Sequence, residues 1–246
     1  MPKIKFVFVF LSTLFLGNDV FSQRLNCENL NRVVYKKARY LKTDYNQSKS
    51  TEAIAIHKEY MKALDRVEYT LLFNCEKSLF EIIEKLEFDN DMGYKIASMI
   101  GGGLGKSYKD MNDKIKLRQT EYDGEKFNIV FPFDEYGWEI SDESKIINGF
   151  LCYKATSIKA EHDYIRDRKN EFRPQVWFTP DIPVSFGPEG MDGLPGLVLE
   201  GTINGDIYFY ATEIELNLPS KDIKKPRGGK NVTQEEFNLL ISKRKY

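Results

Sequence analysis

Residues 175–202, QVWFTPDIPVSFGPEGMDGLPGLVLEGT, constrain what this chain can fold into more than any other stretch, because glycine and proline stand where backbone geometry has to explain them. Leu194, Pro195, Gly196 and Leu197 read as a type II turn, with proline presetting φ at the second position and glycine supplying a positive φ at the third. The run Leu197, Val198, Leu199 that follows has the content of a core strand, and Gly201 closes it. Val176, Trp177 and Phe178 are strand-like as well. Pro180 and Pro183 cannot donate to a sheet ladder, so they push this segment to an edge or out of the sheet. An extended, proline-pinned crossover feeding a buried strand is therefore expected.

The order Trp177, Phe178, Thr179, Pro180, Asp181, Ile182, Pro183, then Gly187 and Pro188, then Gly193, Leu194, Pro195, Gly196, Leu197, resembles the signature of the GLPGLI family, secreted proteins of Bacteroidetes-type bacteria. Residues 138–156, WEISDESKIINGFLCYKAT, resemble that family's approach to the motif. The likeness is dense over 114–214 and thin before Glu68. The chain departs from the pattern at Val198, where the family name has isoleucine, and between Gly187 and Gly193, where Pro-Glu-Gly-Met-Asp replaces aromatic or apolar residues. The resemblance implies an envelope location and a strand-rich fold. It carries no catalytic residue across, and it marks Trp177, Pro180, Ile182, Pro183, Gly187, Pro188, Gly193, Leu194, Pro195, Gly196 and Leu197 as binding or structural positions.

The amino terminus reads as a cleaved signal peptide over 1–22. Lys3 and Lys5 form its positive end, a short apolar run follows from 6 to 16, and Val20, Phe21 and Ser22 precede the cut. Eleven residues are too few to span a bilayer that needs about 20. The mature chain is expected in the periplasm or outside the cell, with no integral membrane segment left. The expected organisation is a single domain at 23–219 and a linker with a terminal helix at 220–246. Export permits disulfides. Three cysteines leave one unpaired or paired elsewhere; Cys152 lies in a strand-like run and reads as a buried thiol, and Cys27 with Cys75 is the expected bridge.

Strand signals dominate after Lys114. They cover 116–122, 127–131, 145–158, 175–178, 197–199 and 206–216, with Asp123-Gly124 and Asn204-Gly205 as hairpin turns. Earlier, strands are expected at 31–41 and 69–73, and helical spacing of Ile56, Tyr60, Leu64 and Val67 predicts a helix over 51–66. Ser78 and Glu81 form a capping-box pattern opening a helix through Leu79, Ile82, Ile83 and Leu86, although the family places extended structure here. Residues 94–110 read as loop plus a short helix. Thr233 with Glu236 caps a final helix carrying Phe237, Leu240 and Ile241. The fold class is α+β, mostly β: a curved antiparallel sheet or half-barrel with helices against one face. With 41% hydrophobic residues the chain can bury a full core.

A formal net charge of −1 argues against nucleic acid held by phosphate neutralisation, and the basic run of Lys221, Lys224, Lys225, Arg227 and Lys230 reads as a solvated tail. Gly101-Gly102-Gly103-Leu104-Gly105-Lys106-Ser107 suggests a phosphate loop. Ile100 stands where the motif needs its first glycine, so a flexible loop is expected and no nucleotide. His57 and His162 have no ligand-spaced partner, so no metal or other cofactor is expected. Glu139, Asp142 and Glu143 read as a solvated turn, and Asp44, Asp181 and Glu189 as surface acids. No catalytic residue is nominated. Three functions follow. The first is a binding or accessory module that meets an outer-membrane partner through residues 179–193, with Trp177 and Phe186 bordering an exposed surface. The second is a carrier of a lipid or other apolar ligand in the curved sheet. The third is a hydrolase, which requires a convergent polar cluster in a cleft.

Overall fold

The computed structural model describes residues 25–40, 50–85, 90–164 and 167–244. The signal peptide expected over 1–22 and Asp44, expected as a surface acid, lie outside the described residues. Among those described, the chain is mostly β, with fourteen strands and three helices. Strands β1 (Leu30–Arg39), β2 (Glu68–Phe73), β3 (Lys77–Ile82), β4 (Lys106–Asp110), β5 (Ile115–Tyr122) and β6 (Glu125–Val130) make one half of a twelve-stranded sheet. β7 (Glu139–Ile147), β8 (Phe150–Thr156), β11 (Gln175–Thr179), β12 (Leu197–Thr202) and β13 (Ile207–Leu218) make the other half. β14 (Lys230–Thr233) adds to the first half beside β6, and β9 (Lys159–Asp163) with β10 (Arg168–Phe172) forms a separate hairpin. The sheet order is β14-β6-β5-β4-β3-β2-β1-β13-β12-β11-β8-β7. All pairings are antiparallel except β14 on β6, and the sheet curves without closing.

Period-two burial sets the inner face of this sheet. Val33 opposes Leu71 and Tyr35 opposes Tyr69 across β1 and β2, while Leu71 opposes Phe80 on β3, and all five side chains are buried. On the far side, Phe209 of β13 points inward as well, and Tyr69, Phe80 and Phe209 interlock with ring centroids 5.1 to 5.6 Å apart. The crossover between β11 and β12 lies over this basin. Ile182, Val184, Phe186, Met191 and Leu194 are all buried in it. Burying a side chain the size of Phe186 stabilises by about 1.5 to 3 kcal/mol.

Helix α1 (Thr51–Ala63) runs on into a 3-10 turn at Leu64–Arg66, with the Ser50 hydroxyl accepting from the Ala53 N–H as its cap. It packs beside α2 (Met92–Met99), whose cap is Asp91. At the other end α3 (Gln234–Arg244) starts with the expected capping box. Thr233 N–H donates to Glu236 Oε2 at 2.7 Å, and Glu236 N–H donates to Thr233 Oγ1 at 3.1 Å. Its Phe237 packs on Phe127 of β6. Residues 219–229 run along the outer face: Ile223 is buried with Leu30, Tyr108 and Leu117, and the Gln119 and Asn128 amides donate to the carbonyls of Arg227, Gly228 and Gly229. Lys221, Lys224, Lys225 and Arg227 are exposed on this fixed strap. Cys27 and Cys75 are joined by a disulfide, and Cys152 is a buried free thiol pushed up to about 12 by desolvation.

Several expectations are corrected. The capping box at Ser78 and Glu81 does not open a helix; 77–82 is β3, paired on both sides, because Ser78 and Phe80 point into the basin while Lys77, Leu79 and Glu81 point out. The single strand expected over 145–158 is a hairpin, turned by Asn148 (φ 48) and Gly149 (φ 84), an Asn-Gly pair suited to a type I′ turn. Residues 139–143 belong to its strand β7, not to a turn. β11 is an interior strand between β8 and β12 that stops at Thr179, one residue before Pro180, so the prolines lie beyond the ladder. Gly196 does not adopt a positive φ, so no type II turn is built on it. Glycine is needed there because a Cβ would sit 2.2 Å from the Thr179 carbonyl oxygen, and Gly187 is placed the same way, 2.3 Å from the Met191 oxygen.

Candidate functional site

The inner row of the sheet changes character as it passes from β3 to β5. Ser107 of β4 opposes Phe80, Lys109 opposes Ser78, and on β5 Lys116 opposes Lys109 and Arg118 opposes Ser107. Register thus aims three cations at the same space that Val33, Leu71 and Phe80 fill further along. The crossover sends two acids to meet them, Glu189 and Asp192, and the segment after β6 adds Glu135. Lys159 and Glu161 come from β9. These eight side chains line one cleft of about 280 Å³, together with Phe131, Tyr136 and Phe172.

The ions alternate from the interior to the surface. Lys109 Nζ lies 2.8 Å from Asp192 Oδ1, and Lys116 Nζ lies 3.1 Å from Asp192 and 2.8 Å from Glu135 Oε2. Lys159 bonds Glu135 and lies 2.9 Å from Glu161. Side-chain exposure along this series is 4%, 5%, 4%, 9%, 21% and 30%, so only its outer end is wet. A second branch joins Arg118 Nη1 to Glu189 Oε1 at 2.8 Å. Such buried networks hold only when every member has a partner, since removing one leaves an uncompensated charge.

The two inner carboxyls are driven apart. Burial pushes Asp192 above the ordinary carboxylate range, outweighing the pull of Lys116 and Lys109. Burial also raises Glu135, but Lys116 and Lys159 more than offset it and hold its carboxyl below the usual range. Desolvation, aided by the nearby acids, lifts the Tyr136 phenol well up. Trp138 stacks on Tyr136 with centroids 4.8 Å apart and donates its indole N–H to the Asp192 carbonyl at 2.7 Å, which fixes the end of the crossover.

The glycine run at 101–105 is no flexible spacer. Gly101, Gly102 and Gly103 all have positive φ, and the Gly103 N–H donates to Glu189 Oε2 at 2.7 Å. The loop does cradle an anion, and that anion is a carboxylate of the same chain. Glu189 is therefore a buried residue of the crossover, held at a left-handed φ of 52, and not a surface acid. Behind the loop, Lys37 occupies an inward position on β1. Its ammonium donates to the carbonyls of Ile100 and Gly102 and shares its remaining N–H between those of Ala97 and Ser98, closing the C-terminal end of α2.

The sequence-nominated residues fall largely beside this cleft. Pro180, Ile182 and Pro183 shape the start of the crossover; Gly187 lines the cleft floor, Pro188 is buried next to Glu189, and Gly193, Leu194, Pro195, Gly196 and Leu197 lead out of it into β12. Trp177 lies apart, its ring under the Lys145 ammonium at 4.4 Å. Phe186 is 1% exposed, which corrects the expectation that it borders an open surface. Lys109, Lys116, Arg118, Glu135, Lys159 and Asp192 were not nominated. The one available signal was the alternation of charge with Tyr108 and Leu117 in two short strands. Among the described residues no group of three or more His, Cys, Asp or Glu is placed to hold a metal, and no helix is long and apolar enough to cross a membrane.

Residues 164–200, which contain the crossover, match a family described as a protein of unknown function (Porph_ging). The likeness beyond that segment is one of fold. The chain is similar to the structures of PNGF-II in space groups C2 and P21, with TM-scores of 0.53 and identities of 14% and 15%. The alignment covers 87% of this chain and 33% of PNGF-II, so the chain spans about a third of that protein's length. No curated protein matches it.

Proposed function

We propose that the chain is an exported, GLPGLI-type binding module of the bacterial envelope that takes a small polar ligand into the cleft between β4, β5 and the crossover. The observation that carries this reading is the convergence of eight ionisable side chains on a cavity of about 280 Å³, near the lower end of the range for small-molecule sites. Four cations and four carboxylates around an opening are costly to assemble for packing alone. They are a poor lining for an acyl chain, and the apolar basin that could have served one is filled by Ile182, Phe186 and Met191.

The outer-membrane partner reading keeps support from a different surface. Among the described residues β7 ends the sheet, so its outer backbone edge is open to a partner strand, and Ile140 and Ile146 on it are 53% and 65% exposed, which adds apolar surface there. The polar cluster also meets the requirement set for a hydrolase, so turnover is one result the test can return.

The test is an ¹⁵N-labelled titration of the mature chain with a panel of polar metabolites and, separately, with oleate. Saturable shifts at Arg118, Lys159 and the Trp138 indole with polar compounds are expected. Shifts from oleate at Phe186 and Met191 instead would replace this reading with the apolar carrier, and chemical conversion of a bound compound would make the site catalytic.

A further inference from the structure

The lining of the cleft specifies what can enter it. Lys109, Lys116, Lys159 and Arg118 face Asp192, Glu135, Glu161 and Glu189, so the lining has no net charge, and each ion already has a partner within 3.1 Å. A charged ligand would have to break one of these pairs in a site with little water, leaving a buried ion uncompensated. Neutral ligands escape that cost.

Hydrogen-bonding capacity narrows the class further. Lys116 has three N–H donors and spends them on Asp192, Glu135 and the Gly190 carbonyl. An ionised carboxylate has about four acceptor directions. Among the described residues Glu135 uses one on each oxygen, for Lys116 and Lys159, and Glu161 uses a single one, for Lys159. Among the described residues acceptors are therefore left over at the wet end, and Arg118 keeps N–H groups beyond those it gives to Glu189 and Gln234. Beside these groups lie flat apolar faces. Phe131 has Arg118 5.5 Å and Lys159 5.6 Å from its centroid, and Phe172 lies in the same wall.

A ligand complementary to this surface is uncharged, carries several hydroxyls that both donate to carboxylates and accept from guanidinium or ammonium, and has a C–H face to lay on a ring. We infer that the cleft binds a neutral polyhydroxylated ring compound, a sugar or cyclitol, between Glu161, Arg118 and Phe131. This rests on the reading of the cleft as the ligand site.

The experiment is calorimetry with an accompanying ¹⁵N titration, using D-glucose, maltose and myo-inositol, with sodium phosphate, glycine betaine and oleate as comparison probes. Saturable binding of at least one of the three polyols, with shifts at Arg118 and Lys159, is expected. In Glu161→Ala, where the side chain lost is 30% exposed and Lys159 keeps Glu135 as its partner, that affinity falls about tenfold, the effect of losing one charge-assisted hydrogen bond. Binding of phosphate or betaine in the cleft with none of the polyols would overturn the inference and leave the cleft as a polar site. No shift at the cleft with any of the six would overturn both.

Discussion

Residues 180–196 separate two regions that are buried to a similar degree by opposite means. On one side Ile182, Val184, Phe186, Met191 and Leu194 fill the basin of the sheet, where stability follows apolar area and shape. On the other side Glu189 and Asp192 leave the same short segment to meet Arg118, Lys109 and Lys116, where stability depends on complete pairing. The first region tolerates graded losses and the second does not. Where the family pattern has apolar residues between Gly187 and Gly193, this chain keeps one apolar anchor, Met191, and turns its two acids toward the cleft.

The sharpest way to break this comparison is at the point where both regions depend on one backbone. Gly196→Val places a Cβ and its methyls against the Thr179 carbonyl, with the Cβ alone at 2.2 Å, and is expected to cost more than about 4 kcal/mol, seen as loss of the folded fraction in urea. A melting curve like that of the parent would refute the close-approach account.

Within the apolar region, Phe186→Ala is expected to destabilise by about 3 to 5 kcal/mol, measured by denaturant unfolding. Within the charged region, Lys116→Met leaves Asp192 and Glu135 facing each other and is expected to cost about 3 kcal/mol. The two regions separate when a second change is added. Glu135→Gln on top of Lys116→Met should recover more than half of the loss, because Lys109 with Asp192 and Lys159 with Glu161 then remain as complete pairs. No neutral swap around Phe186→Ala refills its cavity, so equal recovery at both places would erase the distinction.

The smallest effect is one of pH. Glu135 is held below its ordinary value of 4.5, so the folded chain gives up a proton that the unfolded chain keeps. Its stabilisation is complete above 4.5 and disappears as pH falls through that value and below. Asp192 is held above its ordinary 3.8 and works in the other direction, favouring the fold at low pH and losing that contribution as pH rises through its raised value. Glu135→Gln should therefore flatten the acid limb of stability against pH. An acid limb as steep as that of the parent would contradict the pairing of Glu135 with Lys116 and Lys159.

Much of the apolar region was legible in the sequence. Val33, Tyr35, Leu71, Phe73 and Phe209 declare strands by alternation, and the crossover by its prolines, because in these places the inward residue is the apolar one. The cleft was not legible for the same reason reversed. In KSYKD and IKLR the inward positions are Ser107, Lys109, Lys116 and Arg118, so alternation points the apolar Tyr108 and Leu117 at the outer face, where only the strap carrying Ile223 accounts for their burial. Glycine misled in two ways. Gly196 was given a positive φ where it needs space, and 101–103 was given freedom where its left-handed conformation holds Glu189. Sequence shows that a glycine is required without showing whether conformation or room requires it.

The central claim is that the charged side of the crossover, and not its apolar side, holds the ligand. Native mass spectrometry of the chain purified from the cells that natively produce it, compared with its denatured mass, tests this directly. The account predicts a stoichiometric small polar adduct that is lost on denaturation and reduced in occupancy in Glu161→Ala. A fatty acid or phospholipid adduct that persists in Glu161→Ala would contradict it and return the function to the apolar basin.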